Sequence, residues 1–277
     1  MNHDSFEALS VSLERGVATV TIKHGEINLF DLTLIGELDR LSQALAQDDD
    51  VRVVVLQSGN PQFFIAHADV TLIQQLPATI APRAGKLGRF QALCDRFRTM
   101  PKATIAKIEG KCRGGGSELV LACDMRFAAI GRAVLGQPEV AIGIIPGGGG
   151  SVRLPRLVGR GRALEIVLGC GDFDAVTAER YGYVNRALPE NEIAGFVDNL
   201  ARRIASFPAA AIRLAKEAVL NADRHAEEDL LLEERSFHAT LSMAETKRRM
   251  AASIAGGLQT PAIESGVIDE FLLRLAE

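Results

Sequence analysis

Regular alternation of apolar and polar residues marks the start of the chain as β-structure. Residues 9–13 alternate, Gly16 interrupts the pattern, and residues 17–22 alternate again, which predicts a β-hairpin. The spacing then becomes helical, because leucine and isoleucine recur every three or four residues over Leu32–Gln47. Asp31 stands directly before this segment, where its side chain can cap the first turn. The sequence therefore predicts a hairpin followed by an amphipathic helix.

Short apolar runs and helical segments alternate in the next part of the chain. Val51–Leu56 is almost wholly β-branched and apolar, which is typical of a strand covered on both faces. Thr104–Ile108 and Met125–Ala129 predict two more strands, and the segments around Gly85–Met100 and Ser117–Cys123 are helical in pattern. Strands and helices in alternation build βαβ units with a mostly parallel sheet, so we expect an α/β fold.

The pattern after Ser151 is helical, with sparse strand signals. The predicted helices are Leu154–Leu168, Ala175–Tyr181, Ile193–Ala205, Ala209–Ala222 and the run Glu227–Ile254. Phe207 precedes Pro208 and marks a break, because the residue before a proline disfavours helical backbone. We therefore divide the chain into a core of residues 1–205 and a helical C-terminal region of residues 206–277, which we expect to pack on a neighbouring subunit.

Composition and charge narrow the class of protein. With 277 residues and 47% hydrophobic side chains, the chain can bury a large core. Its 31 basic and 35 acidic residues nearly balance, and tryptophan is absent, so neither a polyanionic partner nor base stacking with nucleic acid is indicated. The four cysteines form no CxxC pair, which argues against a zinc site or a disulfide framework. Because residues 1–10 lack a signal-peptide pattern and no apolar run could span a bilayer, we expect a cytoplasmic protein.

A glycine-rich segment that leads into a predicted helix is the first candidate site. Gly114, Gly115 and Gly116 come shortly before Glu118. The first amides of a helix have no intrahelical acceptor, and glycine lets a ligand approach the backbone closely, so an anionic oxygen can bind there. A donor of this kind stabilises the enolate form of a thioester by roughly 3 kcal/mol. The alternative is that the glycines only make a tight turn and Glu118 only favours the first helical turn.

A second carboxylate, Glu139, also stands beside glycines. It follows residues 136–138 and precedes the apolar stretch Val140–Ile145, after which come Gly147–Gly150. Apolar surroundings disfavour the charged form of a carboxylate, so we expect a raised pKa that suits Glu139 to proton transfer. A surface glutamate in a salt bridge is the alternative. No segment matches the phosphate-loop pattern GxxxxGKS or GxxxxGKT, so we expect no nucleotide there.

The loop of small residues at 63–70 is a third element. It comes shortly after the predicted strand Val51–Leu56, and loops at the carboxyl ends of strands are where ligands bind in α/β sheets. No GxSxG segment is present, and the five histidines show no pairing that the sequence can reveal. The sequence therefore supports a serine or cysteine nucleophile no better than it supports a binding site in this loop.

In their order along the chain, these motifs resemble those of the crotonase superfamily, the enoyl-CoA hydratase/isomerase family of acyl-CoA enzymes. The resemblance covers most of the chain. It rests on Ile27–Asn28, Ala66–Val70, Gly114–Asp124, Gly136–Glu139 and Ile145–Gly147 leading to Arg153–Leu154. It implies an α/β fold in which a spiral of ββα units, residues 1–205 with the active site, precedes a helical trimerisation region, residues 206–277.

The resemblance also implies roles for individual residues. The amides of Ala68 and Gly115 match the two oxyanion-hole donors that bind the thioester carbonyl. Glu118 and Glu139 match two glutamates that hold a water molecule between them, with Glu118 helping to activate it as base and Glu139 serving the proton at the α-carbon. Gly147 matches a glycine whose amide organises the site. The remaining substrate contacts are expected from Ala66, His67, Asp69 and Gly114.

The activity implied is that of an enoyl-CoA hydratase-like hydro-lyase of fatty acid metabolism, which reversibly hydrates a 2-enoyl-CoA to a 3-hydroxyacyl-CoA. Isomerase-like members commonly keep only the counterpart of Glu139, so the presence of Glu118 as well favours hydration. Isomerisation, acyl-CoA hydrolysis, decarboxylation and a catalytically silent scaffold stay open as alternatives. Coenzyme A is part of the substrate, so we expect no separate cofactor and no metal, and the expected assembly is a homotrimer or a dimer of trimers.

Three features depart from the family pattern. His67 stands where the family usually has glycine, and its side chain could contact the CoA or the acyl group, or could turn outward and fill loop surface. Thr71 occupies a position where many relatives carry lysine, and residues 270–277 lack the usual basic tail, so the contacts to CoA stay open. The irregular segment Leu72–Lys86, where we expect the acyl pocket, gives no indication of chain length.

Overall fold

Two β-sheets of different size organise the molecule. The computed structural model describes residues 6–77, 86–222, 226–266 and 268–275. Its strands are β1 (Leu9–Glu14), β2 (Val17–Ile22), β3 (Val53–Ser58), β4 (Phe63–Ile65), β5 (Ala103–Ile108), β6 (Lys111–Arg113), β7 (Met125–Ala129), β8 (Val134–Gly136), β9 (Phe173–Asp174) and β10 (Arg186–Leu188). The larger sheet has the order β1-β2-β3-β5-β7-β10, and the smaller one has the order β4-β6-β8-β9.

Helices follow the strands throughout and dominate the second half of the chain. They are α1 (Leu32–Gln47), α2 (Val70–Gln74), α3 (Arg89–Thr99), α4 (Gly115–Ala122), α5 (Gly150–Val158), α6 (Arg160–Gly169), α7 (Ala175–Tyr181), α8 (Glu190–Ala205), α9 (Ala209–Leu220), α10 (Ala226–Leu241), α11 (Ala244–Ala255), α12 (Pro261–Glu264) and α13 (Ile268–Arg274). A 3-10 turn covers Glu139–Ile142. None of the helices in the described ranges is long and apolar enough to cross a membrane, and a cytoplasmic location stays a prediction.

The strands alternate between the sheets in pairs. β1 and β2 form an antiparallel hairpin, and β2, β3, β5, β7 and β10 then pair in parallel. β4, β6 and β8 pair in parallel in the smaller sheet. The chain thus contributes β3 and β4, then β5 and β6, then β7 and β8, with helical structure after each pair. This arrangement confirms the expected spiral of ββα units.

The elements with strong local signals agree with the sequence. Helix α1 has the predicted bounds, and the Asp31 side chain accepts a hydrogen bond from the Leu34 amide at 2.9 Å. The predicted helix Ala175–Tyr181 is also found, with Asp174 accepting from the Thr177 amide at 2.7 Å. In both helices the aspartate satisfies an amide that has no partner within the helix.

Two predictions about longer elements were wrong in detail. The helix predicted over Leu154–Leu168 is interrupted at Gly159, whose φ of 80° lies outside the helical region. The run Glu227–Ile254 is likewise two helices, α10 and α11. The smaller sheet was missed, and residues 63–65 are a strand rather than loop. Its strands have two or three residues, too few for an alternating pattern to be recognised.

The C-terminal helices cover the core from two directions. On α8 the residues Ile193, Val197 and Ala201 are buried against the large sheet. Helices α10 to α13 lie instead near the loops that follow the small sheet, where they form a separate apolar cluster with the 3-10 turn. The division at residue 205 stays a prediction, but the region after it contributes to the core of the same chain as well.

Candidate functional site

Six of the nine residues that the sequence singled out line one cavity of about 260 Å³. It lies between the loop before α2, the start of α4, the 3-10 turn, the loop before α5, and α10. The six residues are Ala68, Asp69, Gly115, Glu118, Glu139 and Gly147. Much of the remaining wall is apolar and includes Phe30, Leu72, Phe90 and Phe237. Polar groups that converge in a largely apolar cavity are typical of a small-molecule site.

The amide of Ala68 is oriented by a short parallel bridge to Phe30. Phe30 N–H donates to the carbonyl of His67 at 3.0 Å, and Phe30 C=O accepts from the amide of Asp69 at 3.2 Å. His67 and Asp69, the neighbours of Ala68, therefore make the hydrogen bonds of this bridge. In such a parallel bridge the N–H of Ala68 itself points away from Phe30.

Gly115, the first residue of α4, borders the same space. Its amide has no acceptor within the helix. A Cβ added at Gly115 would lie 3.1 Å from the Cβ of Ala68 and 3.5 Å from its nitrogen. Absence of a side chain thus lets the two backbone segments approach, and Ala68 and Gly115 line one cavity from separate segments.

Glu118 lies in the first turn of α4, and the hydrogen bonds that hold its side chain end on one carboxyl oxygen. Its Oε1 accepts from the amides of Gly148 and Gly150, at 2.7 Å and 2.9 Å. Burial raises the pKa of Glu118 to about 7, although the two amides and the positive charge of Arg153 favour the ionised form. A carboxyl group with this pKa can gain or lose a proton near neutral pH.

Glu139 begins the 3-10 turn and is 8% exposed, so the alternative of a surface glutamate in a salt bridge is wrong. The side-chain amide of the buried Gln137 has hydrogen-bond partners for both its nitrogen and its oxygen in one orientation. In that orientation its NH₂ group donates to both carboxyl oxygens of Glu139 at 3.0 Å, and its oxygen accepts from the hydroxyl of Ser117. Burial and the charge of Glu118 raise the pKa of Glu139 well above its ordinary range. Ionisation of Glu139 is therefore disfavoured while Glu118 carries a charge.

Unequal carboxyl groups are what a hydration reaction requires. One group must accept a proton from water, and another must deliver a proton to carbon. Because burial raises both pKa values and the charge of Glu118 disfavours a second charge on Glu139, the pair can hold one ionised and one protonated member at the same pH. The two amides next to them can bind the negative oxygen that forms between these steps.

Sequence reasoning missed the contribution of α10. Glu233 accepts from the amide of Ser151 at 2.8 Å, and its burial and the charge of Glu118 raise the pKa of Glu233 to about 8. Glu234, Phe237 and His238 line the cavity itself. We had assigned this region to subunit association, and its amphipathic pattern alone does not indicate which cavity the helix reaches.

Three of the predicted contact residues lie outside the lining of this cavity. Ala66 packs against Ile27 and Phe63 in a small apolar cluster. His67 and Gly114 line an adjoining space of about 40 Å³, whose wall also includes Ala68, Gly115 and Glu139. His67 is 5% exposed, so the alternative that it turns outward to fill loop surface is wrong.

A further departure from the family pattern, Thr71, can also be placed. Thr71 is exposed and donates its hydroxyl to Asp69 at 2.6 Å. Part of the segment in which we expected the acyl pocket, residues 78–85, lies outside the described residues.

Comparison with known proteins gives similarity along nearly the whole chain. The family model for enoyl-CoA hydratase/isomerase matches residues 12–255. A probable enoyl-CoA hydratase of Mycobacterium bovis is 32% identical over 252 residues, which cover 90% of this chain and 96% of that protein. The short-chain-enoyl-CoA hydratase of Clostridium acetobutylicum is 32% identical over 244 residues, 87% of this chain and 92% of that one. A solved structure from Streptomyces avermitilis, provisionally named an enoyl-CoA hydratase, is 40% identical with a TM-score of 0.90 and covers 98% of this chain and 99% of its own.

Proposed function

The chain belongs to the enoyl-CoA hydratase/isomerase family, and we propose that it catalyses the reversible addition of water to a 2-enoyl-CoA thioester. The observation that carries the proposal is the meeting of Glu118 and Glu139 with the amides of Ala68 and Gly115 at one cavity. The relatives named as hydratases support the same reaction.

The proposed step assigns one role to each group. Ionised Glu118 takes a proton from water, and the water oxygen forms a bond to the β-carbon of the enoyl group. The electron pair of the double bond moves to the thioester oxygen, which the amides of Ala68 and Gly115 stabilise as an enolate. The enolate then takes a proton at the α-carbon from Glu139. The net change is the addition of one water molecule, and passage of one proton from Glu118 back to Glu139 resets the pair.

The walls of the cavity support an acyl chain as the bound group. Phe30, Leu72, Ile73 and Phe237 are apolar and lie on the same cavity as the two carboxyl groups. An apolar wall also keeps bulk water away from the enolate, which strengthens the hydrogen bonds from the amides. Water, the thioester and the two carboxyl groups supply every proton and electron pair in this step, so no separate cofactor enters the proposal.

The test is incubation of the purified protein with crotonyl-CoA and with longer enoyl-CoAs. Hydration removes the absorbance of the conjugated thioester and gives a product heavier by one water molecule. Isomerisation leaves the mass unchanged, and hydrolysis releases free coenzyme A thiol, so mass spectrometry and a thiol assay separate these reactions. Unchanged absorbance with every chain length would contradict the proposal.

We also propose that the chain assembles into homotrimers or dimers of trimers through residues 206–277. Helix α9 supports this, because it buries none of its residues in the single chain and leaves Leu214 53% and Val219 73% exposed. Sedimentation analysis measures the mass of the assembly. A monomeric mass at micromolar concentration would contradict the proposal, and replacement of both side chains by aspartate is expected to lower the mass of an oligomer.

A further inference from the structure

We propose that a buried ion pair between His67 and Glu264 is a positioning device that holds the oxyanion-hole amide of Ala68. The inference rests on the proposed use of that amide to bind a thioester oxygen. Glu264 is the last residue of α12, 197 residues away along the chain. The pair thus connects the C-terminal region with the loop that supplies one of the two donors.

Both ring nitrogens of His67 face acceptors. Nε2 lies 2.9 Å from a carboxyl oxygen of Glu264, and Nδ1 lies 2.8 Å from the carbonyl oxygen of Ala68. A neutral imidazole has one N–H only, so simultaneous donation to both oxygens requires the imidazolium form. Burial lowers the pKa of His67, but the charge and hydrogen bond of Glu264 outweigh it, so the pKa lies above its ordinary value.

The imidazolium acts on the peptide groups around Ala68. The carbonyl of His67 accepts from Phe30, and the carbonyl of Ala68 accepts from the His67 ring. The peptide groups before and after Ala68 are therefore both held, with the N–H of Ala68 turned away from Phe30 in a residue that lines the cavity. A side chain that did not hold the carbonyl of Ala68 would leave the second peptide group with only the hydrogen bond from the Asp69 amide to Phe30 at 3.2 Å.

Glu264 is itself held by the segment that bears the second donor. Arg113, two residues before Gly115, places Nη1 3.7 Å from the carboxylate of Glu264 and donates to its backbone carbonyl at 3.2 Å. The arginine is fully buried, and Asp172 binds it with both carboxyl oxygens. The two donors thus come from separate loops that are tied to one glutamate.

The neighbouring residue Gln259 reinforces the same connection. The backbone N–H of Gln259 donates to a carboxyl oxygen of Glu264 at 2.9 Å. Its side chain donates to Asp69 at 3.0 Å and accepts from the backbone amide of Val70 at 3.0 Å. The turn formed by residues 259–264 therefore holds the Ala68 loop from both sides. His67, Gln259 and Arg113 all contact the buried carboxylate of Glu264, and removing one partner of a buried ion pair has a large effect.

Glu264→Gln is the direct test, because the amide oxygen can still accept from Gln259 while the negative charge is lost. The primary readout is the infrared stretching frequency of ¹³C-labelled thioester carbonyl in bound butyryl-CoA, a saturated ligand that cannot be hydrated. Wild-type protein is expected to lower this frequency relative to solution, and the variant is expected to recover half or more of the difference. We expect kcat on an enoyl-CoA to fall about 10- to 100-fold, with KM changed less than about threefold.

Glu270→Gln is the matched control, since Glu270 is exposed on the adjacent helix α13, and it should behave as wild type. His67→Gln gives the same measurement if Glu264→Gln does not fold. A folded variant of the pair with the wild-type carbonyl frequency would overturn the inference.

The infrared measurement needs no turnover, so the two proposals fail separately. A lowered frequency in a protein that hydrates nothing would reject the hydratase proposal alone. An unshifted carbonyl in bound ligand would reject the oxyanion hole and, with it, this inference.

Discussion

Replacement of Glu118 by glutamine separates chemistry from folding at the centre of the site. Both backbone amides that hold Glu118 donate to the same oxygen, Oε1. A glutamine can keep its oxygen at that position and place its NH₂ group where Oε2 was, so the two hydrogen bonds remain. The variant cannot accept a proton from water, however, and the proposed base is lost.

Two effects of opposite sign follow from Glu118→Gln. Loss of a general base lowers kcat by about 100- to 10,000-fold, which corresponds to about 3–5 kcal/mol of activation free energy. Stability changes in the other direction. Burial raises the pKa of Glu118 from an ordinary value of 4.5 to about 7. This difference corresponds to at most about 3 kcal/mol in the free energy of unfolding.

The sign of the stability effect depends on pH. The folded-state pKa of Glu118 lies above the unfolded value, so its protonated form contributes stability that is fully present below pH 4.5 and is lost as the pH rises to about 7. A neutral glutamine does not lose this contribution. We therefore expect the free energy of unfolding of the variant to exceed that of wild type by about 1–3 kcal/mol at pH 8, and the two to be similar at pH 4.5.

The assays are loss of enoyl-CoA absorbance and urea denaturation at the two pH values. Glu192→Gln is the control, because Glu192 is exposed on α8, and it should change neither quantity. A variant that keeps full activity would refute the assignment of Glu118 as base. A variant that is inactive and also less stable at pH 8 would show that loss of structure, rather than loss of the base, explains the rate.

Three further predictions concern the same cavity. The value of kcat/KM should rise through about pH 7 as the Glu118–Glu139 pair loses its first proton and fall at higher pH as it loses the second, because burial raises both pKa values and like charges disfavour double ionisation. Gly148→Ala should lower kcat about 100-fold, since a Cβ there would lie 2.3 Å from Phe90 Cε1 and 2.8 Å from Glu118 Oε2, whereas Gly195→Ala meets nothing within 4 Å and should keep the wild-type rate. Glu233→Gln should raise the free energy of unfolding at pH 9, and the gain should vanish near pH 4.5, because burial and the charge of Glu118 raise this pKa to about 8; an unchanged urea midpoint at pH 9 would contradict this reasoning.

Local patterns in the sequence determined several of the helices and strands and the main candidates for catalysis. Helix α1 has the predicted bounds because its apolar stripe and the Asp31 cap lie within a few turns of one another. Glu118 and Glu139 could be found because each stands in a motif with glycines, and the order of the motifs indicated the family. That both carboxyl groups and both amides border one cavity agrees with the expectation from the sequence.

Contacts between segments that are distant in the sequence decided the smaller sheet, the position of Glu233 and the partner of His67. The strands of the smaller sheet have two or three residues and exist only because they pair with one another, so no local alternation of apolar and polar residues indicates them. Glu233 reaches the site only because α10 packs against the first turn of α5, where the Ser151 amide lies. His67 looked like a departure in the sequence, and its partner Glu264 lies 197 residues away. A buried charge is stable only when its partner is in place, and that partner is specified by the tertiary fold rather than by the neighbouring sequence.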